Sequence, residues 1–363
     1  AYPWHEMPDK SGWIYGTNLE YMKDLCAYWL DQYDWRKHEA IINNFSHHKA
    51  AVNDFELHWN KIPYTPPPTS FLSYISFPYR LLLKKIKTLL SLTKCDIVFV
   101  EFADETLALS SKWKGQKKLV TRLHRYELFN LPKANWNSVD MVVVVNDWMA
   151  KNLEEKLPQM RGKIATIHNF IDFDYWRPRE NRNTSNQISI VGNIAPRKGH
   201  DKAIVAFSKI LRVKSDLTLN IIGKSKDIGY YKELEKIVKD LKIQDNVKFR
   251  GFSTDLRRDL QESDIILSFS QHESTHLTLF EGLACGAWPL SINWSGIEEF
   301  LPLENIFSTD SDFLEKVQYF YSLDDNERIE KVKSLSKKTL PKFSEPDPRE
   351  QLSKLLLDVF HKE

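Results

Sequence analysis

From residue 96 onward, apolar runs of strand length alternate with helical stretches, and this alternation restricts the fold more than any other feature of the chain. The first set is DIVFV (96–100), KLVTRL (118–123), MVVVV (141–145) and IATI (164–167). The second is ISIV (188–191), LTLNII (217–222), VKFRGF (247–252), IILSF (265–269) and PLSI (289–292). Several runs are apolar on both faces, a pattern that suits a parallel sheet covered by helices on both sides. Helical stretches at 201–211 and 230–241 separate members of the second set, and the polar stretch RENRNTSN (179–186) divides the two sets. The expected architecture is α/β with two units, the second complete and the first short. Ligands in such sheets bind beyond the carboxyl ends of the strands.

Candidate chemistry collects at those ends. The stretch SQHESTHLTLFEGLACGAWPLSINWSGIEE (270–299) follows a strand run and carries Glu273 and Glu281, with Leu279, Phe280, Leu283 and Ala284 at helical spacing around the second. The implied geometry is a strand, a short polar loop and a helix whose first turns bear Thr278 and Glu281. A helix start gathers free N–H groups and a positive dipole end, which suits a phosphate. A carboxylate one turn along suits a ribose diol, and a plain surface carboxylate pair fits the same spacing. Gly192 directly follows a strand run, and Pro196, Arg197, Lys198 and Gly199 precede a helical stretch, so this turn can hold a diphosphate. Gly223 closes the next strand in the same way. No G-x-G-x-x-G follows any strand and no GxxxxGK[ST] occurs, which argues against dinucleotide and P-loop sites.

The net charge of +2 is too balanced for a nucleic-acid binder. Three widely spaced cysteines (Cys26, Cys95, Cys285) indicate neither a disulfide framework nor a zinc site. No apolar run reaches membrane-spanning length and no signal peptide opens the chain, so a cytoplasmic location is expected. The stretch FPYRLLLKKIKTLLSLTK (77–94) reads as an amphipathic basic helix with Leu82, Ile86, Leu89 and Leu90 on one side. The expectation is a helix packed on a sheet with solvated lysines; the alternative is peripheral contact with the anionic inner face of a membrane. PREQLSKLLLDVF (348–360) reads as a last amphipathic helix.

Two resemblances follow from quoted residues. HNFIDFDYWRP (168–178), VGNIAPRKGHDKAI (191–204), RGFSTDL (250–256) and ESTHLTLFEGLACG (273–286), in this order, resemble the retaining glycosyltransferases of family 4. The resemblance covers about residues 95–300 and implies a GT-B-like fold, two Rossmann-like domains facing a cleft. It implies that Glu281 holds ribose hydroxyls, that Glu273 contacts the transferred sugar, and that Lys198 neutralises a diphosphate, with Arg197 placed to replace the charge of the family's arginine that is missing at Asn193. Gly192, Asn193 and Gly223 would line the donor, and the backbone of His276, Leu277, Thr278 and Leu279 would meet its distal phosphate. VTRLHRYELF (120–129) resembles the family's strand-end histidine segment, which makes His124 the second catalytic candidate beside Glu273. The donor implied is a UDP- or GDP-linked sugar, a substrate rather than a cofactor, with no metal, and the acceptor a glycan or lipid-linked molecule. Asn193 stands where the family has arginine, and His276 where it has glycine.

GWIYGTNLEYMKDLCAYWLDQYDWRKHEAIINNF (12–45), helical in pattern from Tyr21 to Phe45, resembles the N-terminal helical region of the epoxide hydrolases. No HGWPGS-type motif and no nucleophilic aspartate on a strand-to-helix turn follows, so epoxide hydrolysis is not expected. The proline cluster PYTPPP (63–68) marks a boundary. The expected division is a helical aromatic-rich segment (1–62), a shortened Rossmann-like acceptor-side domain (63–180), a donor domain (181–345) and a C-terminal helix crossing back (346–363). The functional alternative is a sugar-nucleotide-binding module without turnover, its helical segment binding a partner.

Overall fold

Strand runs that are apolar on both faces need cover on both faces, and the first unit shows how it is supplied. A computed structural model of the chain describes residues 12–17, 57–62, 71–93, 95–180 and 184–362. The first of two units comprises the described residues up to 167 together with 349–362. Its sheet contains β1 (Gly12–Thr17), β2 (Leu57–Ile62), β3 (Ile97–Val100), β4 (Lys118–Leu123), β5 (Met141–Val144) and β6 (Ile164–Thr166), in the order β2-β1-β3-β4-β5-β6. The strands β3 to β6 are parallel. Helices α1 (Phe71–Leu92), α2 (Glu105–Trp113), α3 (Arg125–Phe129) and α4 (Asp147–Lys156) connect them. Alternate strand residues enter separate cores. Val98, Val100, Leu119, Val142 and Val144 pack with Leu107 of α2 and Leu153 of α4. Ile97, Phe99, Val120 and Val143 pack with Val359 and Leu352.

Two expectations need correction here. The boundary after residue 62 is not a boundary of packing: β1 pairs antiparallel with β2 and with β3, Ile14 opposite Val100. The first sheet therefore has six strands, and its short parallel set is completed by segments that the helical, aromatic reading set apart. The helical pattern expected at 21–45 lies outside the described residues. Helix α1 is also inverted relative to the expected packing. Lys84, Thr88 and Ser91 are buried, while Leu82, Ile86, Leu89 and Leu90 are exposed. The Lys84 ammonium meets Glu105 of α2 at 3.1 Å, which compensates its burial and ties the polar stripe of α1 inward.

The second unit, residues 168–348, carries β7 (Gln187–Val191), α5 (His200–Ile210), β8 (Thr218–Ile222), α6 (Ile228–Asp240) and β9 (Val247–Gly251). It continues with α7 (Leu256–Gln261), β10 (Ile265–Ser268), α8 (Leu277–Ala284), β11 (Trp288–Ile292), β12 (Ile306–Phe307), α9 (Asp310–Ser322) and α10 (Asp325–Thr339). All six strands are parallel, in the order β12-β11-β10-β7-β8-β9. The unit's first strand, β7, thus sits between β8 and β10, and the winding reverses there. A doubly wound sheet opens a crevice at such a reversal, beyond the strand ends. Helix α6 starts on Asp227, whose carboxylate accepts from the Tyr230 amide at 3.0 Å. The last helix, α11 (Pro348–His361), returns its apolar side, Leu352, Leu355, Leu356 and Val359, to the core of the first unit. Cys95 and Cys285 are buried and not in a disulfide; Cys26 lies outside the described residues.

Candidate functional site

At the reversal, β7 ends in Gly192 and β8 in Gly223, with φ of 144° and 150°. A Cβ on Gly223 would lie 2.0 Å from the Gly192 carbonyl oxygen, so the two strand ends approach closely enough to exclude any side chain. The turn Pro196–Lys198 then brings Lys198 back over this spot. A Cβ on Gly192 would be 3.6 Å from the Lys198 Nζ. Gly199, at φ 67°, lets the chain turn into α5 where a Cβ would meet the Phe269 carbonyl at 2.5 Å. Gly192, Asn193 and Gly223 therefore present backbone, with a lysine above them.

The end of β10 supplies the opposite charge. Glu273 is buried and its Oε1 lies 2.5 Å from the Lys198 Nζ, accepts from the Ser270 hydroxyl at 2.6 Å, and faces Arg197 at 3.4 Å. Burial opposes ionisation of this carboxyl, yet Lys198, His276 and Arg197 hold it well below the ordinary carboxylate range. Burial also draws Lys198 below its usual value, against the pull of Glu273. The short charge-assisted contact makes the ionised pair the relevant state near neutrality. The Gln271 amide donates to the Arg197 carbonyl at 3.0 Å, joining the two loops by backbone as well. Asn169 donates to the Thr275 hydroxyl at 3.0 Å, so the segment beginning at His168 braces the loop that bears Glu273.

Helix α8 begins on His276, whose φ of 58° is left-handed. This is the region glycine occupies at no cost and histidine tolerates, which gives the family's glycine a physical reason and shows how the histidine fits. Leu277 and Leu279 send their side chains into the core, so only their backbone faces a ligand. The Thr278 hydroxyl is buried with no hydrogen-bond partner among the described residues. Glu281, one turn on, is fully buried, and burial pushes its carboxyl above the ordinary range. Diol hydroxyls donating to it would favour the ionised form.

His124 belongs to the first unit, at the carboxyl end of β4, where its backbone amide donates to Glu127 at 2.9 Å to start α3. Its Nε2 lies 3.6 Å from Oε1 of Glu101, a carboxylate that also meets Arg122 at 3.1 Å, and its ring packs on Phe102 with centroids 5.0 Å apart. Burial works against ionisation of Glu101, but Arg122 and His124 hold its carboxyl below the ordinary range. Glu101, Arg122 and Ser270 escaped the sequence reading. A carboxylate directly after the apolar run 96–100 was the available signal for Glu101; nothing local marks Ser270.

The turn that carries Lys198 also buries His200. Burial, and then Lys198, push its imidazole down from 6.5 to about 4. The unfolded chain therefore binds a proton that the folded chain refuses, so stability is full above pH 6.5 and falls as pH drops towards 4. The loss amounts to about 3 kcal/mol. His200→Gln is expected to flatten the stability profile across this window in urea melts taken at a series of pH values. A variant with the wild-type slope would show that His200 is not the titrating group.

Residues 172–333 match the family Glycosyl transferases group 1. The chain carries a glycosyl transferases group 1 domain. Residues 1–78 match the family Epoxide hydrolase N terminus. N-acetyl-alpha-D-glucosaminyl L-malate synthase of Bacillus anthracis is 26% identical over 212 residues, 53% of this chain and 54% of the synthase. Epoxide hydrolase 1 of Oryctolagus cuniculus is 31% identical over 61 residues, 16% of this chain and 13% of that enzyme. The chain thus spans about half, or far less, of the curated relatives it matches. Anabaena Alr3699/HepE, solved with UDP, superposes with a TM-score of 0.67 at 15% identity, over 80% of this chain and 85% of that one. The pneumococcal O-GlcNAc transferase GtfA, solved with UDP and GlcNAc, gives 0.57 at 16% identity, over 70% and 55%. These likenesses show the fold of the chain to be GT-B, with its two sheets as two Rossmann-like domains.

Proposed function

We propose that this chain transfers a sugar from a UDP- or GDP-linked donor to a glycan or lipid-linked acceptor, with retention of anomeric configuration and without a metal. The observation that carries the reading is the buried Lys198–Glu273 pair beside Gly192, at the reversal of the second sheet. An incoming diphosphate takes over the Lys198 ammonium, which neutralises charge growing on the leaving phosphate in a site already withdrawn from water. Glu273, released from Lys198, accepts hydroxyls of the donor sugar. The Thr278 hydroxyl and the amides at the start of α8 meet the distal phosphate. Glu281 accepts the ribose diol. UDP is favoured because similar folds, Alr3699/HepE and GtfA among them, were solved with it. In the first unit, His124, oriented by Glu101, is the candidate for the reacting carbon or the acceptor.

Calorimetry with UDP, GDP, ADP and CDP tests the donor half of this reading. One nucleotide should bind at micromolar strength, about −8 kcal/mol. Glu281→Ala should weaken it by about a hundredfold, since hydrogen bonds to a charged acceptor are each worth roughly 1.5–3 kcal/mol. Full affinity in the variant would remove Glu281 from the site. A binding module without turnover would use the same residues, and release of free nucleotide from the donor when acceptor is present separates the two.

A further inference from the structure

Helix α1 turns its apolar side to solvent. Tyr79, Leu82, Leu83, Ile86, Leu89 and Leu90 are all exposed, from 36% to 64%. At 3.6 residues per turn they form one stripe about 120° wide. The opposite side holds Lys84, Thr88, Ser91 and Leu92, all buried against the first unit. Two exposed lysines lie at the margins of the apolar stripe, Lys85 on one edge and Lys87 on the other. An ordinary surface helix shows the reverse arrangement, apolar inward and charged outward. The inversion is held in place by Lys84, which reaches Glu105 of α2, while Thr88 and Ser91 donate to carbonyls of their own helix, those of Lys84 and Lys87, at 2.9 and 2.8 Å. The polar groups of the inner face are thus satisfied, Thr88 and Ser91 within the helix itself, and rotating the helix to hide its leucines would break the Lys84–Glu105 pair.

We infer that α1 lies in the surface of an anionic lipid bilayer, with its leucine stripe in the acyl boundary and Lys85 and Lys87 at the headgroups. The charge pattern decides the occupant. An apolar stripe edged on both sides by lysines matches a medium that is apolar in its depth and anionic at its rim, and lysine stems reach from one to the other. No helix among the described residues is long and apolar enough to cross a membrane, so the contact is one of lying on the bilayer rather than spanning it. The inference concerns the first unit alone and stands whether or not the donor-site reading holds.

The test is co-sedimentation of the full chain with vesicles of phosphatidylcholine alone and of phosphatidylcholine with about a third phosphatidylglycerol, at low and high salt. Binding is expected to the anionic vesicles only, and to weaken with salt. Lys85→Gln/Lys87→Gln should weaken it about thirtyfold, each lysine near an anionic surface accounting for about a fivefold effect. Leu82→Glu/Leu89→Glu should abolish it while leaving the thermal melt unchanged. Should that variant fold poorly, an environment-sensitive dye on Ile86→Cys gives a second readout, a blue shift on adding anionic vesicles. No binding to either vesicle, or binding indifferent to both sets of substitutions, overturns the inference. So does a concentration-dependent dimer that Leu82→Glu/Leu89→Glu dissolves in the absence of vesicle binding, which would assign the stripe to a second copy of the chain.

Discussion

Lys198→Ala is expected to lower sugar transfer by two to three orders of magnitude, the scale of losing one preorganised charge on a developing anion, about 3–4 kcal/mol. The lysine is buried and its ammonium is held 2.5 Å from Glu273, so it is positioned before any donor arrives. Removing it also strands a buried carboxylate whose other contacts include Ser270 at 2.6 Å and Arg197 at 3.4 Å. Breaking a buried pair from one side costs roughly 3–5 kcal/mol of stability. A lower melting temperature would therefore accompany the lost activity. The two effects separate in the double variant Lys198→Ala/Glu273→Ala, which should recover much of the melting temperature and none of the turnover. Acid resolves them further. The Glu273 carboxyl is held below its ordinary 4.5, so its contribution to stability is present above that value and is lost as pH falls through the lowered one. Without Lys198 the carboxyl loses its main counter-charge and moves back up towards its ordinary value, so this acid-dependent loss should shrink. Steady-state nucleotide release and thermal melts check both parts; unchanged turnover in Lys198→Ala would sink the assignment of the lysine.

Gly223→Ala is expected to cost at least about 3 kcal/mol, well above an ordinary glycine substitution. Its Cβ would stand 2.0 Å from the Gly192 oxygen and 2.7 Å from the Gly192 carbonyl carbon, at a φ of 150°. Both obstacles are backbone, which cannot rotate away, so the ends of β7 and β8 must part. The Gly192 amide, which donates to the Ile222 carbonyl at 3.0 Å, would be displaced with them, and the floor beneath Lys198 with it. Nucleotide affinity should fall together with stability. Gly162→Ala is the matching control: its φ of 76° is also positive, but nothing lies within 4 Å of the added carbon. That variant should lose only about 1 kcal/mol, from backbone strain alone. Equal midpoints for the two variants in urea melts would show that the close approach of β7 and β8 is not what glycine serves.

Much of the candidate site was legible in the sequence. Lys198 and Glu273 were each marked by lying just past an apolar run, in a sheet type that binds ligands at such ends. Their contact with each other was not marked. The sequence, in which they stand 75 positions apart, carries no trace of a 2.5 Å ion pair, because it depends on β7 and β10 being neighbours across the reversal of the sheet. Ser270 was invisible for the same reason, and Glu101 was passed over although it stands directly after a strand. His276 read as a departure from the family's glycine; the structure shows it as a left-handed helix cap.

By itself the sequence determined the two sets of parallel strands, the glycines that close β7 and β8, and the helix that carries Glu281. Each of these rests on a period, a turn residue or a short motif, and such signals act between residues close together along the chain. Tertiary structure alone decided the rest. It drew 12–17 and 57–62 into the first sheet as antiparallel strands and paired Lys198 with Glu273. It also turned α1 over, so that a lysine faces inward and the leucines face out. Amphipathic period states that a helix has two faces; which face is buried is set by the partners waiting there. For α1 that partner was a carboxylate, Glu105, and not an apolar core.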